Sequence, residues 1–270
     1  AMYESVDVAE QRSGAPSPLL SIAELPRTLC EAAGFGQFWP MLAQAPRGDG
    51  HPVLVLPGFT ASDASTLPLR RFLDRLGYET LPWLAGTNTG SLEVQSRIVL
   101  RFYRLVRTYR EPLTLIGQSL GGIFAREIAR RFPDHVRSVI TLGSPFRVTD
   151  GQGTNPVVRQ LFERLSGLTV REMRSRVRGG RDLGAALPVP STAIYSRTDG
   201  VVSWQSCLER DAPLAENVEI VGSHSGMAVN PAAIHVIADR LAQPAEAWRR
   251  FDRTTGLRPL VYPEPRYAAD

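Results

Sequence analysis

The stretch Gly117-Gln118-Ser119-Leu120-Gly121 decides the reading of this chain. It follows the apolar run Leu113-Thr114-Leu115-Ile116 and opens the helical pattern Gly122-Ile123-Phe124-Ala125-Arg126-Glu127-Ile128-Ala129. A strand that reverses into a helix within about two residues forces its central residue toward positive φ and leaves no room for side chains at the flanking positions, where this chain carries glycine. A serine in that turn is held out at the carboxyl edge of a sheet. The pattern therefore predicts a nucleophile elbow at Ser119.

Such an elbow needs an acid and a histidine further along, in that order, each on a loop that follows a strand. The buried-strand pattern Ser191-Thr192-Ala193-Ile194-Tyr195-Ser196 runs into Arg197-Thr198-Asp199-Gly200, and Val218-Glu219-Ile220-Val221 runs into Gly222-Ser223-His224-Ser225-Gly226. With Val53-Leu54-Val55-Leu56-Pro57-Gly58-Phe59 near the start, the chain resembles the α/β-hydrolase superfamily, and within it the serine esterases and lipases. The resemblance spans about Pro52 to Leu241. It implies a Ser119, Asp199, His224 triad and an oxyanion hole made by the backbone N–H groups of Phe59 and Leu120. Many bacterial lipases carry His-Gly where this chain has Pro57-Gly58, so the usual side-chain support of that loop is altered.

The chemistry explains the convergence of these residue types. A serine hydroxyl is a poor nucleophile at neutral pH until an imidazole accepts its proton, and a carboxylate holds that imidazole in the right tautomer. Fixed backbone donors then stabilise the oxyanion.

Composition bounds the remainder. A chain of 270 residues, 43% hydrophobic, fits one sizeable α/β domain. The net charge is +4, and every one of the 31 basic residues is arginine. The absence of lysine excludes a Ser-Lys dyad, a Schiff-base mechanism and a lysine-bearing P-loop. Cys30 and Cys207 stand far apart and suggest neither a disulfide framework nor a metal site, which fits a reducing compartment. The polar Ala1 to Pro18 stretch lacks the features of a secretory signal and no apolar run approaches the roughly 18 residues that span a bilayer, so a cytoplasmic location is expected. No metal or cofactor is implied. Basic and aromatic residues interleave at Arg101-Phe102-Tyr103-Arg104, but there they read as two faces of one helix, not as a nucleic-acid surface.

The expected fold class is α/β, an α/β-hydrolase fold with a doubly wound, mostly parallel sheet, helices on both faces and a helical cap insertion. Residues 1–50 form an N-terminal extension with a helix from Leu19 to Gly34 broken at Pro26; 51–143 and 188–245 form the core; 144–187 form the cap; 246–270 form a tail in which Phe251, Leu257, Leu260 and Tyr262 pack back. Ser91 to Tyr109 reads as an amphipathic helix with Leu92, Gln95, Val99, Phe102, Tyr103 and Val106 inward. In the cap, Val158, Leu161, Phe162 and Leu165 fall at i, i+3, i+4 and i+7. That stripe either lines an acyl pocket with Trp83 or packs on the domain beneath. Arg171, Arg174, Arg176, Arg178 and Arg181 are either a solvated face or an attraction for an anionic head group.

Other candidates lose on position. Ser144 precedes Pro145, which has no N–H to donate. His51, His135 and His235 read as surface or packing residues, and Glu209, Asp211 and Glu216 do not follow a strand at a tight glycine turn. The expected activity is cofactor-independent hydrolysis of a small-molecule or lipid-like ester. Thioester hydrolysis or acyl transfer by the same residues, or a non-catalytic binding role, are the alternatives.

Overall fold

Six short strands build one parallel sheet. The computed structural model describes residues 15–147, 154–172, 182–244 and 246–268. Its strands are β1 (Pro52–Leu56), β2 (Glu79–Pro82), β3 (Leu113–Gln118), β4 (Val136–Leu142), β5 (Ser191–Tyr195) and β6 (Ala215–Glu219), in the order β2-β1-β3-β4-β5-β6 with every neighbouring pair parallel. Parallel strands need crossovers, and helices that cross cover both faces, so the central strands β1 and β3 carry apolar side chains on both sides. Leu54, Leu56, Leu113 and Leu115 face one core, and Val53, Val55, Ile116 and Ile140 face the other.

The first core is closed by α4 (Leu92–Thr108) and α5 (Leu120–Arg131). The second is closed by α2 (Glu24–Leu42), α3 (Asp63–Leu76) and α7 (Pro231–Leu241). Two further helices flank α2 and the returning segment: α1 (Pro18–Ile22) and α6 (Pro156–Ser166). The last, α8 (Arg258–Val261), lies in the tail. The chain steps outward from β1 to β2 and returns to β3. The carboxyl ends of β1 and β3 thus frame the switch-point crevice where open α/β sheets bind ligands.

Several expectations shift. The N-terminal helix breaks at Ala23, not Pro26; proline is tolerated in the first turn, and α2 runs through Gly34 to Leu42. On α4 the buried residues are Val94, Ile98, Phe102 and Leu105, while Leu92 and Tyr103 are exposed. That helix carries two apolar arcs, and the arc formed by Leu92, Gln95, Val99 and Tyr103 lines an open groove of about 430 Å³ against α5. The last strand starts earlier than its apolar run, because its polar residues find distant partners. Arg240 and the Phe251 N–H donate to Glu216, and Asn217 exchanges two hydrogen bonds with the Glu209 backbone. In the tail Phe251 and Tyr262 are buried, but Leu257 and Leu260 are exposed. Of the arginine cluster, positions 174, 176, 178 and 181 lie outside the described residues.

A buried ion pair fixes α5 to the far side of the sheet. Arg126 bonds Glu209, lies over the Phe146 ring at 3.8 Å and donates to the Ala185 carbonyl. Both charges are about 1% exposed, so removing one strands the other. Glu209→Ala is expected to destabilise the fold by about 3–5 kcal/mol in urea denaturation, and a change below about 1 kcal/mol would contradict this role.

Candidate active site

The turn after β3 is built by exclusion of side chains. Ser119 sits at φ 50° and ψ −120°, in a region a serine occupies only under constraint. A Cβ at Gly117 would lie 2.4 Å from Gly122 Cα; one at Gly121, 2.5 Å from the Leu56 carbonyl oxygen; one at Gly122, 2.0 Å from Ser144 Oγ. The elbow is thus wedged between β1 and the end of β4. Gly122 is as necessary as the two glycines of the pentapeptide. Ser144 is fully buried and points its hydroxyl at the Gly117 carbonyl.

Asp199 and His224 meet across the loops that follow β5 and β6. Both are buried, and His224 Nδ1–H donates to Asp199 Oδ2 at 2.6 Å. The other Asp199 oxygen accepts the N–H groups of Val201 and Val202 at 2.8 Å each, so the carboxylate cannot rotate away. Ser196 Oγ ties the two loops together through the Gly222 N–H and carbonyl.

Burial alone would lower the His224 pKa. The charge and hydrogen bond of Asp199, with a further contribution from Glu24, carry it above its ordinary value of 6.5. Ser119 is tied to the end of β4, where its N–H bonds the Leu142 carbonyl at 2.8 Å, and the residue after Leu142, Gly143 (φ 53°), packs against His224, with a Cβ there 3.1 Å from His224 Nδ1. Gln118 Nε2 donates to the His224 carbonyl at 3.1 Å.

The loop after β1 completes the site. Thr60 and Ala61 commit their N–H groups to the Asn88 and Gly58 carbonyls, and Phe59, which precedes them, lines one cleft with Ser119 and Leu120. Leu120 is the first residue of α5, where a helix N–H has no intrahelical acceptor. The support that Pro57 removes from this loop comes from Asn88. It is fully buried, donates to the Pro57 carbonyl at 2.9 Å and exchanges backbone bonds with Thr60 and Ala61. Only its Gly86-to-Gly90 loop setting hinted at this in sequence.

An apolar cleft of about 80 Å³ opens beside Ser119, lined by Phe59, Leu120, Ile123, Val158, Phe162 and Val202 among others. Phe162 meets Phe59 edge-on at 5.4 Å and fits against Gly90, where a Cβ would strike its ring. The predicted stripe on α6 divides here. Val158 and Phe162 face the cleft, whereas Leu161 and Leu165 are 42% and 46% exposed, because the helix turns its i, i+4 row inward. Trp83 is not at the cleft: it is fully buried in the first core and donates its indole N–H to the Gly86 carbonyl.

The other candidate acids and the histidines His51 and His235 are engaged elsewhere, and His135 is exposed. His51 is buried on Asp49 and Thr114, His235 packs against Tyr262 and Phe251, and Glu209, Asp211 and Glu216 pair with Arg126, Arg250 and Arg240. Cys30 and Cys207 are free. Side chains of α2 that no motif pointed to, Glu24, Arg27 and Glu31, bond the Asp199 and His224 loops. Among the described residues no helix is long and apolar enough to cross a membrane.

Residues 30–177, more than half of the chain, match the family model described as the alpha/beta hydrolase fold. Among solved structures, lipase B of Aspergillus fumigatus is similar at 18% identity with a TM-score of 0.55, over 74% of this chain and 55% of that one. This chain therefore spans little more than half of that lipase. The mature lipase BlEst2 of Bacillus licheniformis is similar at 13% identity with a TM-score of 0.52, over 74% of this chain and 95% of that one. At these identities the likeness is one of fold. No curated protein matches the sequence.

The elbow geometry separates glycines that matter from those that do not. Gly122→Ala should lose about 1–3 kcal/mol in urea denaturation through forced overlap. Gly36→Ala, in α2 with nothing within 4 Å, should be neutral or gain about 0.4–1 kcal/mol. Equal effects at the two positions would contradict the wedge.

Proposed function

Since this chain belongs to the alpha/beta hydrolase fold family, we propose that it is a cofactor-independent serine hydrolase that cleaves carboxylic esters through an acyl-Ser119 intermediate. The observation that carries this reading is the 2.6 Å bond between buried Asp199 and His224, together with a serine held at φ 50° in the turn after β3.

In this mechanism Ser119 Oγ attacks the ester carbonyl while its proton passes to His224 Nε2. Asp199 holds the opposite nitrogen and stabilises the imidazolium without taking the proton. The Phe59 and Leu120 N–H groups receive the oxyanion, the alcohol leaves with the proton from His224, and a water activated by the same imidazole releases the acid. Asn88 and Gln118 hold the two loops that carry these groups.

The cleft beside Ser119 supports an acyl subsite there. Its lining is apolar apart from Ser119, Thr154 and Arg159, which suits a hydrocarbon chain. Its volume of about 80 Å³ is far below the roughly 300–1,000 Å³ that encloses a drug-sized ligand, which favours a short acyl group. In this reading residues 154–172 act as the cap, with Phe162 closing on Phe59.

Hydrolysis of p-nitrophenyl esters from acetate to palmitate tests the proposal. Turnover is expected to peak at short chains and to fall by about a thousandfold or more in a folded Ser119→Ala variant. Full activity in that variant would refute the mechanism, and diversion of the acyl group to an added alcohol in preference to water would favour acyl transfer.

The pH profile gives a second check. His224 must be neutral to accept the proton, and Asp199 raises its pKa. The acidic limb of kcat/KM should therefore lie above 6.5, with activity lost as pH falls through it. A limb in the ordinary carboxylate range would contradict the assignment of the base.

A further inference from the structure

The first two turns of helix α2 turn a polar stripe inward and Leu25 and Leu29 outward. Glu24, Arg27, Thr28 and Glu31 fall at i, i+3, i+4 and i+7, which places them on one face. That face meets the loops after β5 and β6, while Leu25 and Leu29 are 69% and 62% exposed. Glu24 Oε1 accepts the Gly200 N–H at 2.8 Å and the His224 N–H at 3.1 Å, and Oε2 accepts the Ser225 N–H at 3.3 Å. One carboxylate thus spans the residue that follows Asp199 and the backbone of His224 itself.

Its neighbours extend the contact. Arg27 donates to the Thr198 carbonyl at 2.6 Å and to Thr198 Oγ1 at 2.8 Å. Glu31 accepts the Ser223 N–H at 2.6 Å and the Ser223 hydroxyl at 2.9 Å. The glycines of both loops are seats for this segment. A Cβ at Gly200 would lie 2.4 Å from the Leu20 carbonyl oxygen of α1, and one at Gly226 would lie 1.8 Å from Glu31 Oε2.

We infer that Glu24 is a positioning residue for the reaction, locking the Asp199 and His224 loops at one separation and placing a second carboxylate against the backbone of His224. The inference rests on His224 being the general base. Charge-assisted bonds from backbone N–H groups to a carboxylate are stronger than neutral ones, and fixed geometry at a base is where small displacements cost most rate. The charged groups facing His224 and its loop are Asp199 after β5, Glu24 and Glu31 on α2, and Arg27 through Thr198. Of these, Asp199 and Glu24 both favour the imidazolium that forms as Ser119 attacks.

The test uses the full chain with Glu24→Gln, Glu24→Ala and Ser119→Ala, each checked for folding by circular dichroism. Kinetics are read on the best p-nitrophenyl ester. Glutamine keeps an acceptor oxygen but no charge, so Glu24→Gln should shift the acidic limb of kcat/KM to lower pH and reduce kcat with KM unchanged. Glu24→Ala should lower kcat by about 10–100-fold. A Glu24→Gln protein with wild-type kcat and an unmoved limb, beside an inactive Ser119→Ala, would overturn the inference while leaving the serine mechanism standing. An active Ser119→Ala would overturn that mechanism and this inference with it. Because the pH limb does not depend on overall stability, the glutamine variant decides the matter even where the alanine variant fails to fold.

Discussion

The constraint on which this structure depends is the contact of backbone with backbone where β3 turns into α5. The turn lies against the Leu56 and Pro57 carbonyl oxygens on one side and Ser144 on the other, at separations that admit only hydrogen on three of its α-carbons. Holding Ser119 in that conformation costs about 1–3 kcal/mol. Two buried cores, one on each face of the sheet, keep β1, β3 and β4 in register and offset that strain. The strain is therefore local to the site and its compensation is spread through the fold.

Around this turn the remaining groups are held by hydrogen bonds from distant parts of the chain. Asn88 braces the loop after β1, Gln118 braces the His224 loop, and Glu24 and Glu31 brace the loops after β5 and β6 from outside the sheet. The ends of β1, β3, β5 and β6 each carry one group of the proposed site, and side chains from elsewhere fix the loops after β1, β5 and β6. A parallel sheet suits this arrangement because all its strands end at one edge.

How much of this was legible in the sequence depends on range. The sheet and its helices could be read because strand and helix periods are local, and the elbow because its glycines are adjacent. The strand ends carrying Asp199 and His224 could be read from apolar runs that stop at Gly-containing loops. The roles of Asn88, Glu24 and Glu31 could not, because their partners lie up to about 200 residues away in the chain and no local period marks them. The nearest signal was a helix with charges at i, i+3 and i+7, a threonine at i+4 and leucines between, an inverted amphipathic pattern that hydropathy alone reads backwards. The same ambiguity misplaced the inward arc of α4, where two apolar arcs compete. It also left the whole α6 stripe as either pocket lining or packing, when only the Val158 and Phe162 row turns inward. Trp83 looked like a pocket residue because it follows a strand; its indole N–H instead finds a carbonyl within the core.

The most direct measurement of the central claim is covalent trapping of the nucleophile. The folded protein would be treated with a phosphorylating p-nitrophenyl ester, which stops at the serine adduct, and the modified peptide would be located by mass spectrometry. One adduct per chain, on Ser119, is expected, with the adduct forming more slowly as pH falls and His224 takes up its proton. An unmodified Ser119, with label absent or carried by another residue such as Ser144, would contradict the claim.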